Sequence, residues 1–314
     1  MPDPRTADRF PALLLVGALA LASVVIAALG VAPSAVSAQE LLGSARAPGD
    51  RAFIAGHRGG AEAAPENTLP AIAHALDAGY DYVEVDLAVT ADGHIVLMHD
   101  ATVDRTTNGT GALAALTLAQ VRALDAGSWF AAEFAGTAVP TAAEALDLLA
   151  ARNGRALLDL KGEWDAGAAA TLVEAIEGRG LARRVAIASF DARTLAHVAA
   201  ESDEIVRMAI FKRLPDDVVE AVQQFGARGI IVDRKALTAR PEIVDELHAA
   251  RMRVVVYTLN TDRQWDAVTG LGVDGIVTDD PGMLQRWQGA VAAAGNTPGG
   301  YSVGAGDTHP EESR

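Results

Sequence analysis

The feature that most constrains the fold is an alternation. From residue 53 onward, short apolar runs centred on Ile54, Val83, Leu158, Ile187, Val206, Ile231, Val255 and Ile276 are each followed by a stretch with helical spacing. Apolar runs of this length, bounded by Gly and polar residues, read as strands buried on both faces, and strands alternating with amphipathic helices imply a parallel sheet. Eight such units close into a ring. The expected class is therefore α/β, a (β/α)8 TIM barrel with a small insertion after the second strand. An open doubly wound sheet is the alternative. That architecture usually begins with a Gly-rich dinucleotide loop, and no G-x-G-x-x-G follows the first run.

In a barrel, chemistry gathers where strands end on the carboxyl face. The polar residues expected there are His57, Arg58, Glu84, Asp86, Asp159, Lys161, Ser189, Arg207, Asp233, Tyr257, Asn260 and Asp279. The densest stretch is residues 53–111. Its first strand opens into Gly56-His57-Arg58-Gly59-Gly60, and a helix follows with Pro65, Glu66, Asn67 and Thr68 near its start. The second strand, Tyr82-Val83-Glu84-Val85-Asp86-Leu87, puts Glu84 and Asp86 on one face, because side chains two apart point the same way. Two carboxylates about 7 Å apart along one buried strand repel unless a proton or cation joins them. Hard oxygen ligands suit one divalent cation, Ca²⁺ or Mg²⁺. A turn at Ala91-Asp92-Gly93 makes a hairpin that returns His99 towards these carboxylates.

The HRG, PENT, Glu-x-Asp, HD and DRTTNGTG segments, in that order, resemble the glycerophosphodiester phosphodiesterase family. The resemblance spans residues 54–285 and is dense to about Pro140. It implies hydrolysis of a small-molecule glycerophosphodiester to an alcohol and glycerol 3-phosphate, and an insertion that caps the barrel mouth. His57 and His99 are then the catalytic acid and base, suited to it by a pKa near neutral. Glu84, Asp86 and Asp159 are the metal ligands, although the family commonly has Glu where Asp159 stands. Arg58 grips phosphoryl oxygens or forms a rim salt bridge. Lys161 reaches the phosphate or pairs with Asp159. Glu66 binds substrate or metal-bound water, or caps its helix; Asn67 is read as a cap. Tyr257, where the family usually has Trp, offers an aromatic wall for the substrate. Asp279 is read as ending the last strand and capping a helix. His74, His94, His197 and His248 are read as surface residues. Trp129 and Phe130, in the insertion, pack on the barrel or meet a lipid-derived group. A phospholipase of the same barrel type and a non-catalytic phosphoryl-ligand binding barrel are the alternative readings.

The ends differ from this body. Arg5 and Arg9 precede an apolar run over residues 10–31, and Val36-Ser37-Ala38 suits signal cleavage before Gln39. Residues 1–38 are thus a signal peptide or membrane anchor, implying an exported chain, periplasmic or extracellular. Residues 39–50 read as a linker, 51–290 as the barrel and 291–314 as a disordered tail. Among 314 residues there is no cysteine, which excludes disulfides, thiolate metal sites and cysteine nucleophiles. A net charge of −15 argues against nucleic acid and anionic membranes as partners. No obligate protein partner is indicated, and an anionic substrate needs a locally positive pocket.

Overall fold

The computed structural model describes residues 37–295. Eight parallel strands form the ring: β1 (Phe53–Gly56), β2 (Tyr82–Val89), β4 (Ala156–Leu160), β5 (Val185–Ser189), β6 (Val206–Phe211), β7 (Gly229–Asp233), β8 (Arg253–Tyr257) and β9 (Gly275–Thr278). β1 pairs with both β2 and β9, which closes the barrel and removes the open-sheet alternative. The outer helices include α2 (Leu69–Asp77), α4 (Ala142–Ala151), α5 (Ala166–Glu177), α6 (Ala192–Glu201), α7 (Val218–Gln224), α8 (Arg234–Ala239), α9 (Ile243–Ala249), α10 (Asp262–Thr269) and α11 (Pro281–Gly295).

The period-2 alternation of the strands decides which side chains enter the barrel. Val83, Val85 and Leu87 pack outward against the helices, together with Leu158 and Leu160. Tyr82 and Leu157 point inward, joining Phe53, Met208, Val255 and Val277. Glu84 and Asp86 share the parity of Tyr82, and Asp159 shares that of Leu157. All three are thereby aimed inside, and Asp86 stands opposite Asp159 in the β2–β4 register.

The insertion begins with β3 (Ile95–Leu97), antiparallel to β2, and includes the short α3 (Leu118–Arg122). It has its own core of Val96, Met98, Val103, Leu113, Val121 and Val139. Trp129, Phe130 and Phe134 stack edge to face upon one another. None of the three lines the cavity at the barrel mouth.

The segment expected as a linker is structured in part. α1 (Ala38–Leu42) is capped by Ser37 and Glu40, which satisfy each other's backbone N–H groups. Leu41 and Leu42 are buried in the interior barrel cluster, and Tyr82 Oη donates to the Leu41 carbonyl. Two adjacent leucines have no periodicity to reveal them; they close the amino-terminal end of the barrel, which is a long-range role. The expected cleavage point before Gln39 falls inside α1. Leu42→Ala is expected to cost about 2–5 kcal/mol, read as a lower denaturant midpoint with unchanged KM. At the other end, α11 continues to Gly295, so residues 291–295, expected to belong to a disordered tail, are helical instead. Residues 1–36 and 296–314, which hold most of the expected leader and most of the expected tail, lie outside the described residues. Among the described residues, no helix is long and apolar enough to cross a membrane.

Candidate active site

His57 and Arg58 follow β1 in a single 3-10 turn that only an unusual backbone permits. Arg58 takes φ +53°, and Gly59 and Gly60 take +91° and +83°. A Cβ on Gly59 would lie 2.6 Å from Ala71 Cβ, so glycine there lets the turn press against α2. The Arg58 conformation is held from two sides: its N–H donates to Glu84 Oε2 at 2.8 Å, and its carbonyl accepts from Asn67 N–H at 2.9 Å. A left-handed arginine costs backbone energy, and such strain collects at functional sites.

The carboxylates expected as metal ligands converge. Glu84, Asp86 and Asp159 are buried, and one oxygen from each lies within 4.8 Å of the others. Burial first, then the neighbouring Asp86 charge, pushes Glu84 up to about 7. Burial likewise raises Asp159 to about 6, against the pull of Lys161. Asp86 goes the other way: burial opposes its ionisation, but Lys161 and Arg58 hold its pKa below the usual range. Lys161 Nζ is 2.9 Å from Asp86 Oδ1 and also bonds Asp159. Arg58 Nε is 3.3 Å from Asp86 Oδ2.

A divalent cation fits this donor set. Asp159 Oδ1 is buried without a hydrogen-bond partner, and Asp86 Oδ1 has only the ion pair to Lys161. Buried carboxylate oxygens left without donors are what hard-cation ligation satisfies. The shorter Asp159 side chain still reaches the cluster, because its strand register places it directly beside Asp86.

Both histidines are backed by carboxylates. His57 Nδ1 is 2.6 Å from Asp279 Oδ1, and His99 Nδ1 is 2.6 Å from Asp100 Oδ1. Each contact fixes the Nδ1–H tautomer and leaves Nε2 as the free nitrogen. Burial would lower the His57 pKa, but the Asp279 hydrogen bond and the Glu84 charge outweigh it and the pKa is raised. For His99, burial wins and the pKa is lowered, despite the pull of Asp86 and Asp100.

His57, Arg58, Glu84, His99, Asp159, Lys161 and Tyr257 all line one cavity of about 300 Å³ at the carboxyl face. Apolar side chains including Ile210, Ile231 and Val277, together with Phe190 and Lys212, line the rest of it. Burial pushes the Tyr257 hydroxyl up to about 12, so it stays neutral there. Glu66 lies beside this cavity, where it accepts from Arg58 Nη1 at 2.7 Å and caps no helix. Burial opposes ionisation of Glu66, yet Arg105 and Arg58 lower its pKa.

Several expectations are corrected. Asn67 is no cap; Thr68 caps α2. Asn67 instead donates to Asp86 Oδ2 at 2.7 Å and accepts from Asp86 N–H at 3.0 Å. Asp279 holds His57, and Asn260 Nδ2 holds Asp279 at 2.6 Å, while Asp280 takes the capping bond from Met283 N–H. Ser189 has the outward parity of Val185 and Ile187 and bonds backbone. Asp233 caps α8. Arg207 sits at the start of β6 and donates to the carbonyls of Ser202, Ile205 and Gly226, at the amino-terminal end of the barrel. Parity tells which face a side chain takes but not which end of a short strand it occupies. His248 is also partly buried, 2.8 Å from Asp274.

A closed barrel whose mouth joins a buried acidic cluster to two carboxylate-backed imidazoles and to Arg58 and Lys161 belongs to the class of barrel hydrolases suited to anionic esters. Residues 57–283 match the model of the glycerophosphoryl diester phosphodiesterase family. The chain is 30% identical over 250 residues to a glycerophosphodiester phosphodiesterase of Caldanaerobacter subterraneus, covering 74% of this chain and 96% of that protein. A glycerophosphoryl diester phosphodiesterase structure from Silicibacter pomeroyi superposes with a TM-score of 0.70 at 27% identity, covering 80% of this chain and 97% of that one. An Oleispira antarctica phosphodiesterase in complex with the product sn-glycerol-3-phosphate gives a TM-score of 0.68 at 26% identity, over 75% and 96% of the two chains. The chain belongs to the glycerophosphoryl diester phosphodiesterase family.

Proposed function

We propose that this chain hydrolyses glycerophosphodiesters to an alcohol and glycerol 3-phosphate, with His57 and His99 as its acid–base pair. The convergence of two carboxylate-backed histidines on the Glu84–Asp86–Asp159 cluster carries the reading. The product named in the Oleispira antarctica complex supports the substrate class. One divalent cation, Ca²⁺ or Mg²⁺, is held by Glu84, Asp86 and Asp159 and, when bound, polarises the phosphoryl group and offsets its charge.

This chain's own residues do the rest. Arg58 and Lys161 face the equatorial phosphoryl oxygens and balance charge that builds there. One imidazole Nε2 takes a proton from the nucleophile as its oxygen bonds phosphorus; the nucleophile is water, or the neighbouring glycerol hydroxyl, in which case water then opens the cyclic phosphate. The other imidazole returns a proton to the departing alkoxide, so the phosphorus–oxygen bond breaks without releasing a strong base. Asp279 and Asp100 stabilise whichever ring is charged. Tyr257 and Phe190 add apolar surface to the cavity against which the rest of the diester packs. Export follows as a further proposal from the leader-like first 38 residues.

The test is release of glycerol 3-phosphate from glycerophosphocholine in the presence of Ca²⁺ or Mg²⁺. Turnover is expected to vanish with chelator and return with added cation. Tight binding of the diester without turnover under either cation would overturn the reading.

A further inference from the structure

The loop at residues 102–111 contains the DRTTNGTG segment, to which the proposed reaction gives no task. Its Arg105 does not line the cavity. It spans two carboxylates instead. Nε donates to Asp100 Oδ2 at 2.6 Å, Nη1 to Glu66 Oε2 at 2.7 Å and Nη2 to Glu66 Oε1 at 2.8 Å. The second oxygen of Asp100 receives His99 Nδ1, and Glu66 Oε1 also receives Arg58 Nη1. A guanidinium is the one side chain whose planar fork can hold both carboxylates at once.

We infer that Arg105 is a positioning residue that fixes His99 and Arg58 relative to each other, through Asp100 on one arm and Glu66 on the other. The loop thereby ties the proton-transfer geometry to the phosphoryl grip. The inference rests on the phosphodiesterase reading above. A plain loop staple is the competing account, but the loop has its own anchors. Asn108 N–H donates to the Asp125 carbonyl at 3.1 Å and Asp125 N–H donates to Asn108 Oδ1 at 2.9 Å, which tie the loop outward, while Gly111 N–H donates to Asp104 Oδ2 at 2.9 Å within it. With those bonds in place, the loop keeps its seat on the insertion when Arg105 is removed, while both carboxylates lose their shared partner.

The experiment is steady-state hydrolysis of glycerophosphocholine with saturating cation, alongside thermal melts. Arg105→Met is expected to lower kcat through the Asp100 arm and raise KM through the Glu66 arm, together about ten- to a hundredfold in kcat/KM, with the melt nearly unchanged. On an Asp100→Asn background, Arg105→Met should lower kcat no further yet still raise KM. Arg105→Lys, a point charge that serves one carboxylate at a time, should restore at most one of the two parameters; it carries the test if the methionine variant fails to melt cooperatively. Parental kcat and KM in Arg105→Met, an equal kcat loss on both backgrounds, or full recovery of both parameters by lysine would each overturn the inference. An active parent indifferent to Arg105 refutes this inference alone; a parent that turns over no glycerophosphodiester refutes the functional reading and this with it.

Discussion

Alanine at His57 is expected to cut kcat by about 10²- to 10⁴-fold, with the thermal midpoint and KM close to those of the parent. The ring is held at Nδ1 by Asp279 and its remaining nitrogen has no protein partner among the described residues, so its removal deletes a proton carrier more than a structural bond. His99→Ala should fall in the same range, since Asp100 backs it in the same way. The double variant should lose less than the product of the two, because acid and base act on one displacement and their losses do not multiply. Asp279→Asn should give a smaller kcat loss. It keeps the shape but removes the charge that favours the imidazolium, and Asn260, bonded to Asp279 now, loses its anionic partner. A His57→Ala enzyme within tenfold of the parent in kcat would make the ring a structural hydrogen bonder and end the acid–base assignment.

How far such a site can be read from residues alone depends on the kind of information involved. Glu84 and Asp86 were legible because strand parity is local: an acidic pair on one face of an apolar strand has few places to go. Asp159 followed by the same rule on a neighbouring strand. The HD pair was legible because a tight turn returns β3 alongside β2. Asp279 is expected at the same mouth, but its hold on His57 is not legible, since the two are 222 residues apart and meet only through barrel closure. Asn67 takes φ +56° in a loop, where no periodicity exists to reveal its clamp on Asp86. That Arg207 lies at the amino-terminal end and not the mouth is not legible for a related reason: a polar residue in a short strand looks the same at either end. Leu41 and Leu42 carry no such signal, because two adjacent leucines joining the interior cluster are too few for a pattern.

The stability of the cation-free protein is expected to fall as pH rises from about 4 to 7, and added Ca²⁺ or Mg²⁺ to abolish most of that fall. Glu84 has a pKa of about 7 in the fold against 4.5 as a model group, and Asp159 about 6 against 3.8. Between those values the folded chain holds protons that the unfolded chain has released. Stability therefore decreases with pH over that window, by linkage. Asp86 has the opposite shift, so its contribution is present above 3.8 and is lost only on the acid side. The raised pKa of His57 acts in the same direction as Glu84, from about 6.5 upward, whereas the lowered pKa of His99 opposes it just below 6.5. The carboxylates dominate because they are buried among like charges. The Glu84 shift alone corresponds to about 3 kcal/mol, or roughly 5–10 °C in melting temperature for a domain of this size. The Asp159 shift shares the same charge cluster, so the two do not simply add.

A divalent cation needs all three carboxylates ionised. Its binding must expel the protons held by Glu84 and Asp159, and its stabilisation must grow with pH. Melts in chelator and in excess cation, taken at intervals from pH 5 to pH 8, should therefore diverge steadily. Glu84→Gln should flatten the chelated curve and shrink the divergence, because it removes the group with the highest carboxylate pKa of the three. Coincident curves at every pH would mean that the acidic cluster is neutralised by Lys161 and Arg58 alone and takes up no cation.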